Sequence, residues 1–165
     1  MIATYKFTLL LPPLRDIILK KHDHQLFTDD MTYKILIIDD DTDAILILST
    51  VLRDQGYEVI TALDGITGLD MIVAEHPDLI LLDLMMPEKS GISLLHDIKE
   101  DENLKDIPVI MVTGVARETG IDLESFLKSG SETLEQTAVP HPDGYVQKPI
   151  DPNKLMSLIK SVLSR

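Results

Sequence analysis

The chain has 165 residues, the size of one domain, and its 44% apolar content is enough to bury a core. It contains no cysteine, which excludes a disulfide framework and any thiolate metal site. The net charge of −13, with the acidic excess lying after residue 30, repels nucleic acid phosphate and argues against direct DNA or RNA binding.

Residues 1–30 lack the periodic texture of the rest of the chain. The Phe7 to Leu11 run is short, meets Pro12-Pro13 and has no small-residue cleavage site, so no secretory leader is expected. No apolar run approaches the length of a membrane span, and the expected location is the cytoplasm. Leu14, Ile17 and Ile18 offer one amphipathic turn or two, and Met31 offers an alternative translation start. Residues 1–30 are therefore expected to be an extension, disordered or preceding the true start, with a docking helix as the competing reading. His22 and His24 stand too isolated for a metal site.

From Lys34 the pattern becomes regular. Lys34 to Ile38 is a short buried strand, followed at once by Asp39-Asp40-Asp41. Ala44, Ile45, Leu48, Val51 and Leu52 recur at helical spacing until Gly56. Glu58 to Ala62 is a second strand, and Gly65 to Glu75 a helix that ends before Pro77. The run Leu79-Ile80-Leu81-Leu82 reads as a strand buried on both faces, the signature of the middle of a parallel sheet, and delivers Asp83 into a loop closed by Pro87. Ile92, Leu94, Leu95 and Ile98 form the stripe of a third helix. Pro108 to Val112 is a fourth strand ending at Thr113-Gly114, and Ile121 to Leu127 a helix stopped near Gly130. A polar stretch, Ser131 to Asp143, precedes a fifth strand, Tyr145 to Gln147, which ends at Lys148-Pro149. The last helix is expected from Pro152, well suited to a first turn, to Leu163.

Strand and helix thus alternate with parallel-type crossovers. That predicts an α/β fold with a doubly wound five-stranded parallel sheet in the flavodoxin-like order 2-1-3-4-5. In that order the first and third strands are neighbours, so Asp39 and Asp40 come to lie beside Asp83. Carboxylates clustered at one sheet edge repel unless a cation joins them. Mg²⁺ fits, because it takes one or two carboxylates, water and phosphate oxygens. Asp40 and Asp83 are the expected direct ligands, with Asp39 acting through water and the carbonyl of Met85 supplying a further oxygen. Asp83 is the expected phosphate acceptor. Thr113 and Lys148, at the ends of the next two strands, are placed to hold and stabilise a phosphoryl group on it. Each residue alone has a plainer reading: acids before a helix cap it, and single Thr or Lys residues are commonly just solvated. Their joint placement is what points to chemistry.

On these residues the chain, from about Tyr33 to Leu163, resembles the receiver domain of two-component response regulators. The matching pieces are Ile37-Ile38-Asp39-Asp40, Leu81-Leu82-Asp83-Leu84-Met85-Met86-Pro87, Gly91, Val112-Thr113-Gly114 and Lys148-Pro149-Ile150. The resemblance implies Mg²⁺-dependent transfer to Asp83 from a sensor histidine kinase or phosphotransfer protein. It also implies that Thr113 moves toward the phosphate and that Tyr145 rotates inward, the plainer reading of Tyr145 being a half-buried edge-strand aromatic. Residues 31–165 would be the receiver, with no module following it, so its output would be contact with a downstream protein target, a phosphorylation-dependent homodimer or onward transfer in a phosphorelay.

Two features depart from the family pattern. The interval between Thr113 and Lys148 is long, and residues 131–143 read as an exposed insert, either one that sets partner specificity or a neutral surface insertion, with His141 a loop residue rather than a phosphate carrier. Met85 and Val115, two residues past Asp83 and Thr113, are apolar where a polar group would hold an attacking water, which predicts slow self-dephosphorylation. Rival readings come from other classes. An aspartate-nucleophile Mg²⁺ phosphatase would use the Asp39/Asp41 or Asp41/Asp43 spacing but leaves Asp83 and Lys148 unexplained. A nucleotide-binding module would want glycines, not three acids, after the first strand. A degenerate receiver acting as a scaffold would not need the full set of acids, threonine and lysine.

Overall fold

The structure is a computed structural model, and it describes residues 32–114 and 141–164. The expectations for residues 1–30, Val115, the helix at 121–127 and the insert at 131–140 lie outside these residues. The described elements are β1 (Lys34–Ile38), α1 (Thr42–Asp54), β2 (Glu58–Ala62), α2 (Gly65–Glu75), β3 (Leu79–Asp83), α3 (Gly91–Glu100), β4 (Val109–Thr113), β5 (Gly144–Gln147) and α4 (Pro152–Leu163). The sheet has five strands in the order β2-β1-β3-β4-β5, all pairings parallel, as the alternating pattern predicts. Boundaries differ from the sequence reading by a residue or two at some ends; α1, for example, begins where a capping side chain sets it rather than at the first residue of the apolar stripe.

Side-chain alternation divides each central strand between two cores. Leu36, Ile38, Ile80 and Leu82 pack on one side with Ile72 of α2 and Leu94, Leu95 and Ile98 of α3. Ile35, Ile37, Leu79 and Leu81 pack on the other with Leu48 and Leu52 of α1 and Leu155, Ile159 and Val162 of α4. Both faces of β3 are therefore covered, and all five of its residues are buried. That double burial explains the unbroken apolar run from Leu79 to Leu82, since an unpartnered polar side chain on either face would be cut off from water.

Each described helix starts at the carboxyl edge of the sheet with a polar cap. Asp41, Asp64, Ser90 and Asp151 accept hydrogen bonds from the first backbone N–H groups of α1, α2, α3 and α4. Asp64 also accepts from the Thr67 hydroxyl at 2.8 Å, and these bonds hold its carboxyl below the usual carboxylate range. The same edge therefore gathers the helix N-termini and the strand ends.

Two backbone positions shape this edge. At Gly91 the first turn of α3 lies against the end of β3: an added Cβ would sit 2.0 Å from the carbonyl oxygen of Asp83. Glu88, in the loop between β3 and α3, has φ 63°, a left-handed conformation that a Cβ-bearing residue adopts at a cost. Replacing Glu88 with glycine is expected to raise the stability of the protein by about 1 kcal/mol, measured by urea unfolding. An unchanged or lower unfolding midpoint would contradict that strain.

Candidate functional site

The site lies where β1 and β3 end side by side, the point at which the strand order reverses. Register pairs Ile38 with Leu82, so the residues that follow, Asp39 just past β1 and Asp83 at the end of β3, emerge together. Carboxylate oxygens of Asp39, Asp40 and Asp83 all lie within 4.8 Å of one another. Asp39 and Asp83 are almost wholly buried, at 1% and 4% exposure, whereas Asp40 is exposed. Asp83 is the last residue of β3 rather than a loop residue, so its carboxylate is set by the sheet backbone. Asp41 turns away to cap α1, and its own N–H donates to Asp39 Oδ1 at 2.9 Å. Of the three consecutive acids, two join the site and one takes the plainer capping role.

Lys148 closes the cluster from the end of β5. Its Nζ lies 2.7 Å from Asp39 Oδ2 and 2.9 Å from Asp83 Oδ1. Its N–H donates to the Thr113 carbonyl at 2.8 Å, and the Lys148–Pro149 peptide is cis. The second oxygen of Asp83 accepts from the Met85 N–H at 2.7 Å. Thr113 ends β4 and is buried, one position beyond the residue paired with Asp83. Tyr145 lies on β5 opposite Met111 and keeps 39% of its surface exposed, while Met85 beside the site keeps 57%.

Electrostatics set these groups against one another. Burial pushes the Asp83 carboxyl above its ordinary value, and the negative charge of Asp39 adds to the rise. The hydrogen bond and charge of Lys148, with the Met85 N–H, oppose it without cancelling it. Burial pulls the Lys148 ammonium down, but its bonds to Asp39 and Asp83 outweigh that and leave it above the usual lysine range. One ammonium thus faces three carboxylates, and the cluster remains short of positive charge. A hard cation with oxygen ligands supplies the deficit, so this donor set suits Mg²⁺.

The chain belongs to the response regulator receiver domain family, signalling modules of two-component systems: the family model of that description matches residues 35–160. The polar-differentiation response regulator DivK of Brucella ovis is 33% identical over 133 residues, which cover 81% of this chain and 98% of DivK. The ycf27 protein of Porphyridium aerugineum is 36% identical over 136 residues, covering 80% of this chain but 48% of its own length, so the chain spans about half of that relative. Among solved structures it is similar to the chemotaxis protein CheY4 of Vibrio cholerae, with a TM-score of 0.62, 27% identity and coverage of 79% of this chain and 98% of that one. No helix among the described residues is long and apolar enough to cross a membrane.

Sequence reasoning brought Asp39, Asp40, Asp83, Thr113 and Lys148 to one edge, and the structure has them there. It missed the direct ion pair between Lys148 and Asp39, residues 109 apart in the chain. Nothing local signals that pair; only the assembled sheet, with β3 and β4 between β1 and β5, brings together the residues that follow those two strands. It also treated Gly91 as a motif letter, although the crowding against Asp83 is the reason a side chain does not fit there.

Proposed function

We propose that Asp83 accepts a phosphoryl group from the phosphohistidine of a sensor histidine kinase or phosphotransfer protein, and that the phosphorylated chain signals through a protein contact. In the transfer an Asp83 carboxylate oxygen forms a bond to phosphorus as the P–N bond breaks, and the electron pair returns to the imidazole nitrogen. Lys148 neutralises charge on the phosphoryl oxygens, and the Thr113 hydroxyl donates to one of them. Asp39, Asp40, Asp83 and the Met85 carbonyl would hold Mg²⁺, which when bound offsets the negative charge gathered on the acids and the phosphoryl group. Thr113 and Tyr145 are the switch pair: Thr113 moves toward the phosphate and Tyr145, half exposed beforehand, turns inward. Such a local event biases a two-state surface that a downstream target or a second copy reads. Residues 31–165 are the receiver, residues 1–30 an extension, and the setting is the cytoplasm.

The observation that carries this reading is the Lys148 ammonium shared between two buried carboxylates in a three-acid cluster. Acetyl phosphate and Mg²⁺, followed by intact-mass and peptide mass spectrometry, test it. One phosphoryl group on Asp83, absent from Asp83→Asn, is expected. Labelling that persists in the variant, or none in the wild type, overturns the reading. Mg²⁺ binding is expected to stabilise the folded chain by about 2.7 kcal/mol at a hundred times its dissociation constant, read as a rise in Tm that Asp40→Asn weakens.

The apolar residues at positions 85 and 115 lead to a further expectation. A Met85→Asn Val115→Glu variant, labelled with acetyl phosphate, should lose its phosphoryl group about tenfold faster than the wild type. Equal lifetimes would show that those side chains do not govern water attack.

A further inference from the structure

β5 brings Lys148 to the site, yet little in the strand itself fixes its register. It is a four-residue edge strand paired with β4 alone, and only Val146 among its residues is buried. A single buried side chain specifies register weakly. Register nevertheless decides whether Lys148 works. A slip of one residue displaces it by about 3.3 Å, which would break contacts of 2.7 and 2.9 Å to Asp39 and Asp83.

At the opposite end of β5 stands a side-chain fork. Asp143 donates its N–H to the Val109 carbonyl at 2.8 Å, and its Oδ2 accepts from the Val109 N–H at 3.0 Å. The same Oδ2 is 3.1 Å from Lys99 Nζ, whose other donors reach the carbonyls of Lys105 at 3.1 Å and Ile107 at 3.0 Å. All three donors of the ammonium are therefore satisfied. The fork ties the start of β5 to the first residue of β4 and, through Lys99, to α3. Both side chains are sheltered, Lys99 at 16% and Asp143 at 29% exposure, so water screens their pair only in part.

We propose that Asp143, anchored by Lys99, is a positioning residue for Lys148: it fixes the pairing of β5 on β4 and so holds the ammonium on Asp39 and Asp83. The kinetic side of this proposal rests on Asp83 being the phosphoryl acceptor, whereas the register side stands apart from it. In Asp143→Ala, labelling of Asp83 by acetyl phosphate is expected to slow about tenfold with Mg²⁺ binding no weaker than in the wild type, because no acid of the metal cluster lies on β5 and a displaced ammonium leaves Asp39 and Asp83 short of positive charge. The Lys148 amide, bonded to Thr113, should exchange its hydrogen at least about tenfold faster while the Leu82 amide does not. Asp143→Asn keeps an acceptor oxygen and should restore most of the rate. In a Lys148→Ala background, Asp143→Ala should slow labelling no further, since both changes act through one ammonium.

Wild-type labelling rates in Asp143→Ala, additive loss in the double variant, or Mg²⁺ affinity falling together with the rate would each overturn the proposal. Should the wild type take no label, the acceptor reading falls by itself, and unchanged exchange at Lys148 in Asp143→Ala then overturns the register claim. If Asp143→Ala does not fold, Lys99→Met carries the same measurements, with the same directions expected.

Discussion

Gly91→Ala is expected to cost about 3 kcal/mol of stability and to disable the acid cluster, since the new methyl group would be the most crowded of any added at a described glycine. The added Cβ would lie 2.0 Å from the Asp83 carbonyl oxygen and 3.0 Å from both the Asp83 carbonyl carbon and the Leu84 Cα. These are backbone atoms, which cannot swing aside as the end of a side chain can. The Gly91 N–H also donates to the Leu84 carbonyl at 3.1 Å, so α3 is bonded to the strand end that it would have to leave. Either α3 retreats and opens the core around Leu94 and Leu95, or the end of β3 moves and takes the Asp83 carboxylate with it. Urea unfolding and acetyl phosphate labelling measure the two consequences. Gly114→Ala, where a new Cβ meets nothing within 4 Å, is the control and should cost less than about 0.5 kcal/mol. Equal costs at the two positions would remove close packing as the explanation.

Lys148→Ala is expected to destabilise the metal-free protein by about 2 kcal/mol at pH 7 and to slow phosphoryl transfer by at least about tenfold. Removing one partner of a fully buried pair typically costs about 3–5 kcal/mol; the lower figure follows from the 26% exposure of the Lys148 side chain. The pH dependence identifies the cause. The folded Asp83 carboxyl binds its proton more tightly than an ordinary one, chiefly because it is buried. A raised folded-state value contributes stability at low pH and loses it as pH climbs from about 3.8, the ordinary aspartate value, through the folded value. Lys148 limits that rise, so without it the folded value moves further up and the loss extends toward neutrality. The variant should therefore recover more stability than the wild type when pH falls from about 7 to about 5. Parallel stability–pH curves for the two proteins would mean that Lys148 does not govern the ionisation of Asp83. The lysine's own ionisation plays no part in this window, because its ammonium lies above the usual value of 10.5 and stays charged.

Much of this architecture could be read from residue spacing. Leu79 to Leu82 announce a strand covered on both sides, and a strand of that kind implies helices on both faces of a parallel sheet. The stripes of α1 and α3 and the proline that opens α4 then account for such helices, with acids at hand to cap α1. Strand order followed from alternation, and with it the approach of Asp39 and Asp40 to Asp83. What could not be read were contacts between groups that no local pattern relates. Asp41 looks like its two neighbours in the sequence, yet the turn into α1 sends it to a cap while Asp39 is buried beneath it. The fork of Lys99, Asp143 and Val109 is equally silent, since each residue is unremarkable where it stands in the chain.

Residue order by itself determined which side chains reach the carboxyl edge of the sheet, because backbone periodicity and short connections are local physics. Tertiary structure alone decided how those groups pair: that one ammonium serves both Asp39 and Asp83, that α3 presses on the Asp83 backbone, and that an edge strand is pinned at its far end. Hydrogen bonds and ion pairs depend on separations of a few tenths of an ångström, and only the packed sheet sets distances between distant parts of the chain that finely.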